Sequence, residues 1–280
     1  MSANAALLHC AQELRERDPD RHLVTTLLPP SGRRGALALF AFDLELARIR
    51  DAVSEPMLGE IRLQFWRDTL VGVGRGAVAA HPVAQAIAAT ITDDESIAAM
   101  TALVDARARD LDDTPFADLA ALSRYGTDTA GAVNTLLLRA LGINDADVAE
   151  AARAAGAGWA LVGLMRALPH RAAARRMPIP ADVLERHNVD LEATFAGRAT
   201  PELGRAVSDV VAEAERHLTV ARQTPLPKPA RPVFATVLLA VRDAQALKRA
   251  NGNPFGLKPP GPLSRQLSVA LGVLTGRVTG

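Results

Sequence analysis

The chain has 280 residues, 49% of them hydrophobic and 22% charged. This is an ordinary globular balance with enough apolar residues for a sizeable core. A formal net charge of +1 excludes the global basic field of a nucleic-acid binder. Cys10 is the only cysteine, which excludes an intramolecular disulfide, fits a reducing compartment, and with scattered His residues leaves no zinc-ligand cluster.

Residues 1–28 are expected to carry no targeting signal, because Glu13, Glu16, Asp18 and Asp20 spoil both a secretory and a mitochondrial pattern. Helical spacing of apolar residues then dominates, and β-branched alternation is nearly absent. Leu37, Phe40, Ala41, Leu44 and Ala47 or Arg48 trace a helix that continues to Ile49 and Val53, with a break at Glu55-Pro56. Residues 61–72 form a second helix, with Phe65, Trp66 and Leu70 among its apolar positions. His81-Pro82 opens a third, with Pro in the first turn. Residues 97–111 follow, and Asp112-Asp113-Thr114-Pro115 starts a turn and a new helix, the two Asp serving as its cap. A helix over 131–141 stops at Gly142. Residues 148–168 form a long, nearly all-apolar and therefore buried helix, ended by Pro169.

Met177-Pro178-Ile179-Pro180 is an extended linker. Helices resume over 203–222 and 233–250. Residues 224–232 hold four prolines and connect helices of like character, so they are a helix connection and not a domain boundary. No apolar run approaches the ~18 residues of a membrane span; the longest candidate, 156–165, ends at Arg166. The tail 263–278 carries apolar residues with Arg265 and Arg277, suited to a core-capping helix or to a membrane or partner contact. The expectation is an all-α fold with one domain over 1–280.

Motifs in a fixed order span most of the chain. They are Phe40-Ala41-Phe42, Ile49-Arg50-Asp51, Leu63-Gln64-Phe65-Trp66-Arg67-Asp68, His81-Pro82-Val83-Ala84, and Asp105 through the Arg107 and Arg109 pair to Asp112-Asp113. Tyr125 to Ala132, Gly163-Leu164-Met165-Arg166, Met177-Pro178-Ile179-Pro180 and Asn253-Pro254-Phe255 complete the set. Each is weak alone, but together the sequence resembles the squalene/phytoene synthase family. The resemblance implies an isoprenoid-synthase-like helical bundle around a central cavity. It also implies, for active members, head-to-head joining of two prenyl diphosphates held by Mg²⁺ on two aspartate motifs. Each motif sets Asp at i and i+4, one turn apart on one helix face, where carboxylates hold hard cations.

This sequence departs from that pattern. The first motif falls at Ala47-Arg48-Ile49-Arg50-Asp51, where only Asp51 remains. Asp43 would share its face on a continuous helix, but two turns and about 12 Å away. The second falls at Ala167-Leu168-Pro169-His170-Arg171, where both acids are gone; no Asp or Glu lies between Glu150 and Asp182. Arg166, Arg171, Arg175 and Arg176 stand there instead, with His170. At ~4 Å and an effective dielectric of ~20, each cation would cost a metal on the order of 4 kcal/mol per unit charge.

The sequence resembles the degenerate branch containing mitochondrial complex I assembly factor 6 and its bacterial relatives more than it resembles active synthases. The residues that carry this are Arg50-Asp51-Ala52-Val53-Ser54-Glu55-Pro56, the segment around Trp66, the segment around Asp110 and Leu164-Met165-Arg166-Ala167-Leu168-Pro169. That resemblance implies a non-catalytic adaptor or assembly role with complex I subunits or assembly proteins as partners. The expected setting is the cytoplasm, peripheral to the inner membrane, without nucleic acid and without a transmembrane segment. It implies no cofactor. One alternative is a synthase with an altered metal site, which would need Mg²⁺. A second is a metal-free binder of isoprenoid or anionic lipid phosphate, using Arg166, Arg171, Arg175 and Arg176.

Bland expectations stand beside these. Asp51 is a solvated or salt-bridged helix acid, Arg107 and Arg109 belong to salt-bridge networks, and His170 sits favourably at a helix end. Phe65, Trp66 and Trp159 pack in the core.

Overall fold

A computed structural model describes residues 2–257 and 261–276. Among them it contains fifteen α-helices and no strand. In chain order these are α1 (Ala3–Arg17), α2 (Pro19–Leu27), α3 (Pro30–Ala47), α4 (Pro56–Gly74), α5 (Pro82–Ala88), α6 (Asp94–Arg107), α7 (Leu119–Gly126), α8 (Ala132–Ala140), α9 (Ala146–Arg166), α10 (Leu168–Ala173), α11 (Ala181–Arg186), α12 (Leu191–Phe195), α13 (Pro201–Gln223), α14 (Ala235–Arg249) and α15 (Pro262–Thr275).

Proline marks beginnings more than ends. It is the first residue of α2, α3, α4, α5, α13 and α15, where its fixed φ is helical and its missing N–H would have no intrahelical partner. This corrects two expectations. The second helix begins at Pro56, not at Ile61. Pro169 sits in the first turn of α10, and α9 stops before it, with Ala167 as the break. The cap of α7 is Asp118, whose Oδ1 accepts from the Ala121 amide at 2.7 Å. Asp112-Asp113 is therefore not the cap; Asp112 instead pairs with Arg109 at 3.2 Å.

The described residues fall into two compact units, each discontinuous in sequence. The first comprises Met1–Asp112, Ala132–Ala149 and Leu226–Val233; the second comprises Asp113–Gly131, Glu150–Pro225 and Phe234–Gly280. The proline-rich stretch 224–232 joins α13 to α14 as expected, and the chain also passes between the units there.

In the first unit α3 packs against α1, α2, α5 and α8, while α4 packs against α5 and α6. Phe42, Leu39 and Leu46 of α3 and Leu63, Trp66 and Leu70 of α4 are buried. Phe42 and Trp66 meet edge to face with centroids 5.2 Å apart, the geometry aromatic quadrupoles prefer. In the second unit α13 packs against α7, α11 and α14, and α14 against α15. Gly156 of α9 lets the helix lie on the π-turn Thr127–Gly131: a Cβ there would stand 2.4 Å from the Ala130 carbonyl.

Candidate functional site

The first aspartate-motif position lies in the first unit. The α3 helix does not run through it. It ends at Ala47, tightens into a 3₁₀ turn over Arg50–Ala52 and becomes extended at Val53. Glu55 precedes Pro56 and is extended, as the proline ring requires of its neighbour, so the chain must leave the helix before it. Between Ala47 and Asp51 the backbone stays right-handed at Arg48 and Ile49, and the Ala52 amide donates to the Arg48 carbonyl at 3.1 Å, but Asp43 is buried whereas Asp51 is exposed. Ala47, Arg48 and Asp51 are all exposed. Arg48 reaches Glu13 at 3.8 Å.

Asp43 has a different task. It is fully buried on α3, and its two oxygens accept from Arg21 at 2.6 Å and Arg107 at 2.7 Å. Burial pushes this carboxyl up, but the Arg107 and Arg21 guanidiniums outweigh it and hold it at about 2. Arg107 also reaches Asp110 at 3.3 Å. The expected network within the acidic stretch thus extends to α3.

A pocket of about 350 Å³ opens beside this motif position. Glu45, Arg48, Arg62, Phe65, Trp66 and His81 contribute to its wall. Phe65 is 42% exposed there, against the expectation that it packs in the core; Trp66 is buried as expected. Phe65, Trp66 and His81 form an edge-to-face set with centroids 5.1–5.9 Å apart. The His81 ring nitrogen Nδ1 accepts from the Val83 amide at 3.2 Å, capping α5. Burial lowers the His81 pKa below its ordinary value.

The second motif position lies in the second unit. Ala167 is the break between α9 and α10, while His170 and Arg171 occupy the last turn of α10. The local sequence has no acid, but the fold brings acids from elsewhere. Arg166 donates to Asp243 of α14 at 2.6 Å, and its guanidinium lies 5.9 Å from the ring centroid of half-buried Trp159. Arg175 binds Glu192 of α12 through two contacts of 2.5 and 3.1 Å and lies over Phe195. Arg166 and Arg175 therefore engage different carboxylates, so the surroundings of these two arginines are not acid-free. Sequence distance hid this, because Asp243 is 77 residues from Arg166.

Asp243 was not singled out by the motifs. It also accepts from Arg265 of α15 at 3.1 Å. Its signal is periodic: Leu239, Asp243 and Leu247 share the buried face of α14, so an acid at a core register requires a buried cationic partner. Leu39, Asp43 and Leu46 show the same signal on α3.

The residues present do not fit the paired Mg²⁺ sites of active prenyl synthases. The first position offers Ala47 and Asp51; the second offers Ala167 and Arg171. The nearby buried acids Asp43 and Asp243 each serve two guanidiniums. Among the described residues no three His, Cys, Asp or Glu side chains are grouped to hold a metal ion.

An all-α fold with two degenerate aspartate positions defines the class. The squalene/phytoene synthase family profile matches residues 14–271, and the chain belongs to that family. Complex I assembly factor 6 of Bos taurus is 31% identical over 261 residues, covering 93% of this chain and 78% of that protein. The Homo sapiens assembly factor 6 is 30% identical over 253 residues, covering 90% and 76%. A dehydrosqualene synthase crystallised with a ligand superposes with a TM-score of 0.84 at 16% identity, covering 98% of this chain and 97% of that one. That likeness establishes the isoprenoid-synthase-like fold.

Proposed function

We propose that this chain is a non-catalytic member of the family that assists assembly of the respiratory NADH dehydrogenase. In this reading it needs no Mg²⁺, works in the cytoplasm at the periphery of the inner membrane, and binds complex I subunits or assembly proteins. The observation that carries the reading is the replacement of motif aspartates at both positions by Ala47, Ala167 and Arg171. The remaining buried acids are neutralised by arginine pairs, so they have no charge to spare for a divalent ion. Relatives named as assembly factors supply the positive half of the reading. No helix among the described residues is long and apolar enough to cross a membrane.

Deleting the gene in the source organism tests the assembly role. NADH:ubiquinone oxidoreductase activity and assembled complex I on native gels should fall and return with the wild-type chain. Normal complex I together with lost carotenoids or hopanoids would sink the proposal.

A second reading has one observation in its favour. Arg48 and Arg62 flank the aromatic pocket of the first unit, a combination suited to an isoprenoid or lipid phosphate held without metal. Calorimetry with farnesyl diphosphate in EDTA decides it. Binding that weakens in an Arg48→Gln, Arg62→Gln variant supports this reading, and no heat rejects it.

A further inference from the structure

The α15 helix has two unlike faces. Arg265, Val269 and Gly272 are buried. Arg265 ties the helix to Asp243, and a Cβ on Gly272 would collide with Leu238 of α14 at 2.2 Å. On the other side Leu267, Leu271 and Leu274 are 62%, 58% and 75% exposed. They follow an i, i+4, i+7 spacing and so form one row along the helix. Three leucines in a row on one exposed helix face form a patch, unlike scattered single exposures.

Charge selects what covers this row. Asp243 is the last acid of the chain: residues 244–280 contain no Asp or Glu and five cations, Lys248, Arg249, Lys258, Arg265 and Arg277. Lys248 pairs with Glu215 and Arg265 with Asp243. Lys258 and Arg277 enter by sequence alone, since they and Val278 lie outside the described residues. At the edge of the row Arg242 donates to Ser264 Oγ at 2.8 Å and approaches Ser268 Oγ at 3.4 Å. That edge of the row is thus serine and arginine, and α15 itself carries no carboxylate. An apolar row with serines and an arginine along one edge, in a chain segment whose sequence holds cations and no acid, matches the boundary between acyl chains and anionic headgroups.

We propose that α15 docks the protein on the surface of an anionic lipid bilayer, with Leu267, Leu271 and Leu274 inserted and Arg242 at headgroup level. This surface rests on the peripheral-membrane part of the proposed function and names the helix that would make the contact. It does not depend on complex I partners or on a pocket ligand, so its failure leaves the assembly test standing. The test is cosedimentation of the full chain with vesicles of phosphatidylglycerol and phosphatidylcholine in equal parts, against phosphatidylcholine alone. The chain should sediment with the anionic vesicles and bind less as ionic strength shortens the Debye length from ~10 Å at 0.1 M to ~3 Å at 1 M. A Leu267→Ser, Leu271→Ser, Leu274→Ser variant should bind more than about 10-fold more weakly while keeping the wild-type melting temperature.

A Leu271→Trp variant gives a reading that does not depend on the triple change. Its added indole fluorescence should shift to the blue with anionic vesicles. Equal binding to both vesicle types, undiminished binding of the triple variant, or no blue shift overturns the proposal. So does a wild-type dimer in solution that the triple change converts to monomer, because a second copy would then be the occupant.

Discussion

At Asp43 two guanidiniums converge on one buried carboxylate. Removing that charge strands Arg21 and Arg107 in a dry environment, and breaking such a pair costs about 3–5 kcal/mol. Asp43→Asn should therefore lower the urea midpoint sharply with little change in slope. The pH dependence has a definite sign. The folded carboxyl titrates at about 2, below its ordinary 3.8, so its contribution is full above pH ~4 and fades as pH falls toward 2. The gap between wild type and Asp43→Asn should close over that window; a constant gap would contradict the ion-pair account. Cys10 gives a second residue-scale expectation. Burial pushes its thiol to about 12, so a thiol reagent at pH 8 should label it only after denaturation. Rapid labelling of folded protein would show that α1 opens.

Glycines separate packing from propensity at the scale of the element. Gly156 of α9 faces the π-turn backbone, and a Cβ there would meet Ala130 and Gly131 at 2.4 Å. Gly156→Ala should destabilise by about 1–3 kcal/mol, several degrees of melting temperature. Gly163, two turns on in the same helix, has nothing within 4 Å of its would-be Cβ. Gly163→Ala should stabilise by about 0.5–1 kcal/mol. Equal effects in calorimetry would show that α9 is not held against the turn.

The same scale explains what the sequence made legible. The long α13 helix was readable from apolar spacing and α9 from its nearly unbroken apolar run. The α11 and α12 helices have only six and five residues, too few for a period to emerge, and α1 and α2 lie where polar residues were read only for targeting. Proline misled because it both stops and starts helices; Pro56 and Pro169 start them. The sequence predicts that the α3 helix runs on to Val53, whereas it ends at Ala47 and a tighter turn over Arg50–Ala52 carries Asp51.

For the whole molecule, family membership and fold were legible because motif order survives across most of the chain. The site was legible only as a loss. Replacement of motif acids is visible in a linear string, whereas the partners of Arg166 and Arg175 come from α14 and α12 and could not be paired from sequence. The central claim is that the family fold persists here without the prenyl-joining chemistry. The most direct measurement is incubation of the purified full chain with farnesyl or geranylgeranyl diphosphate, Mg²⁺ and, for squalene formation, NADPH, followed by product extraction. The account predicts that both diphosphates are recovered unchanged; formation of squalene, phytoene or their cyclopropyl diphosphate precursors above a no-protein control would contradict it.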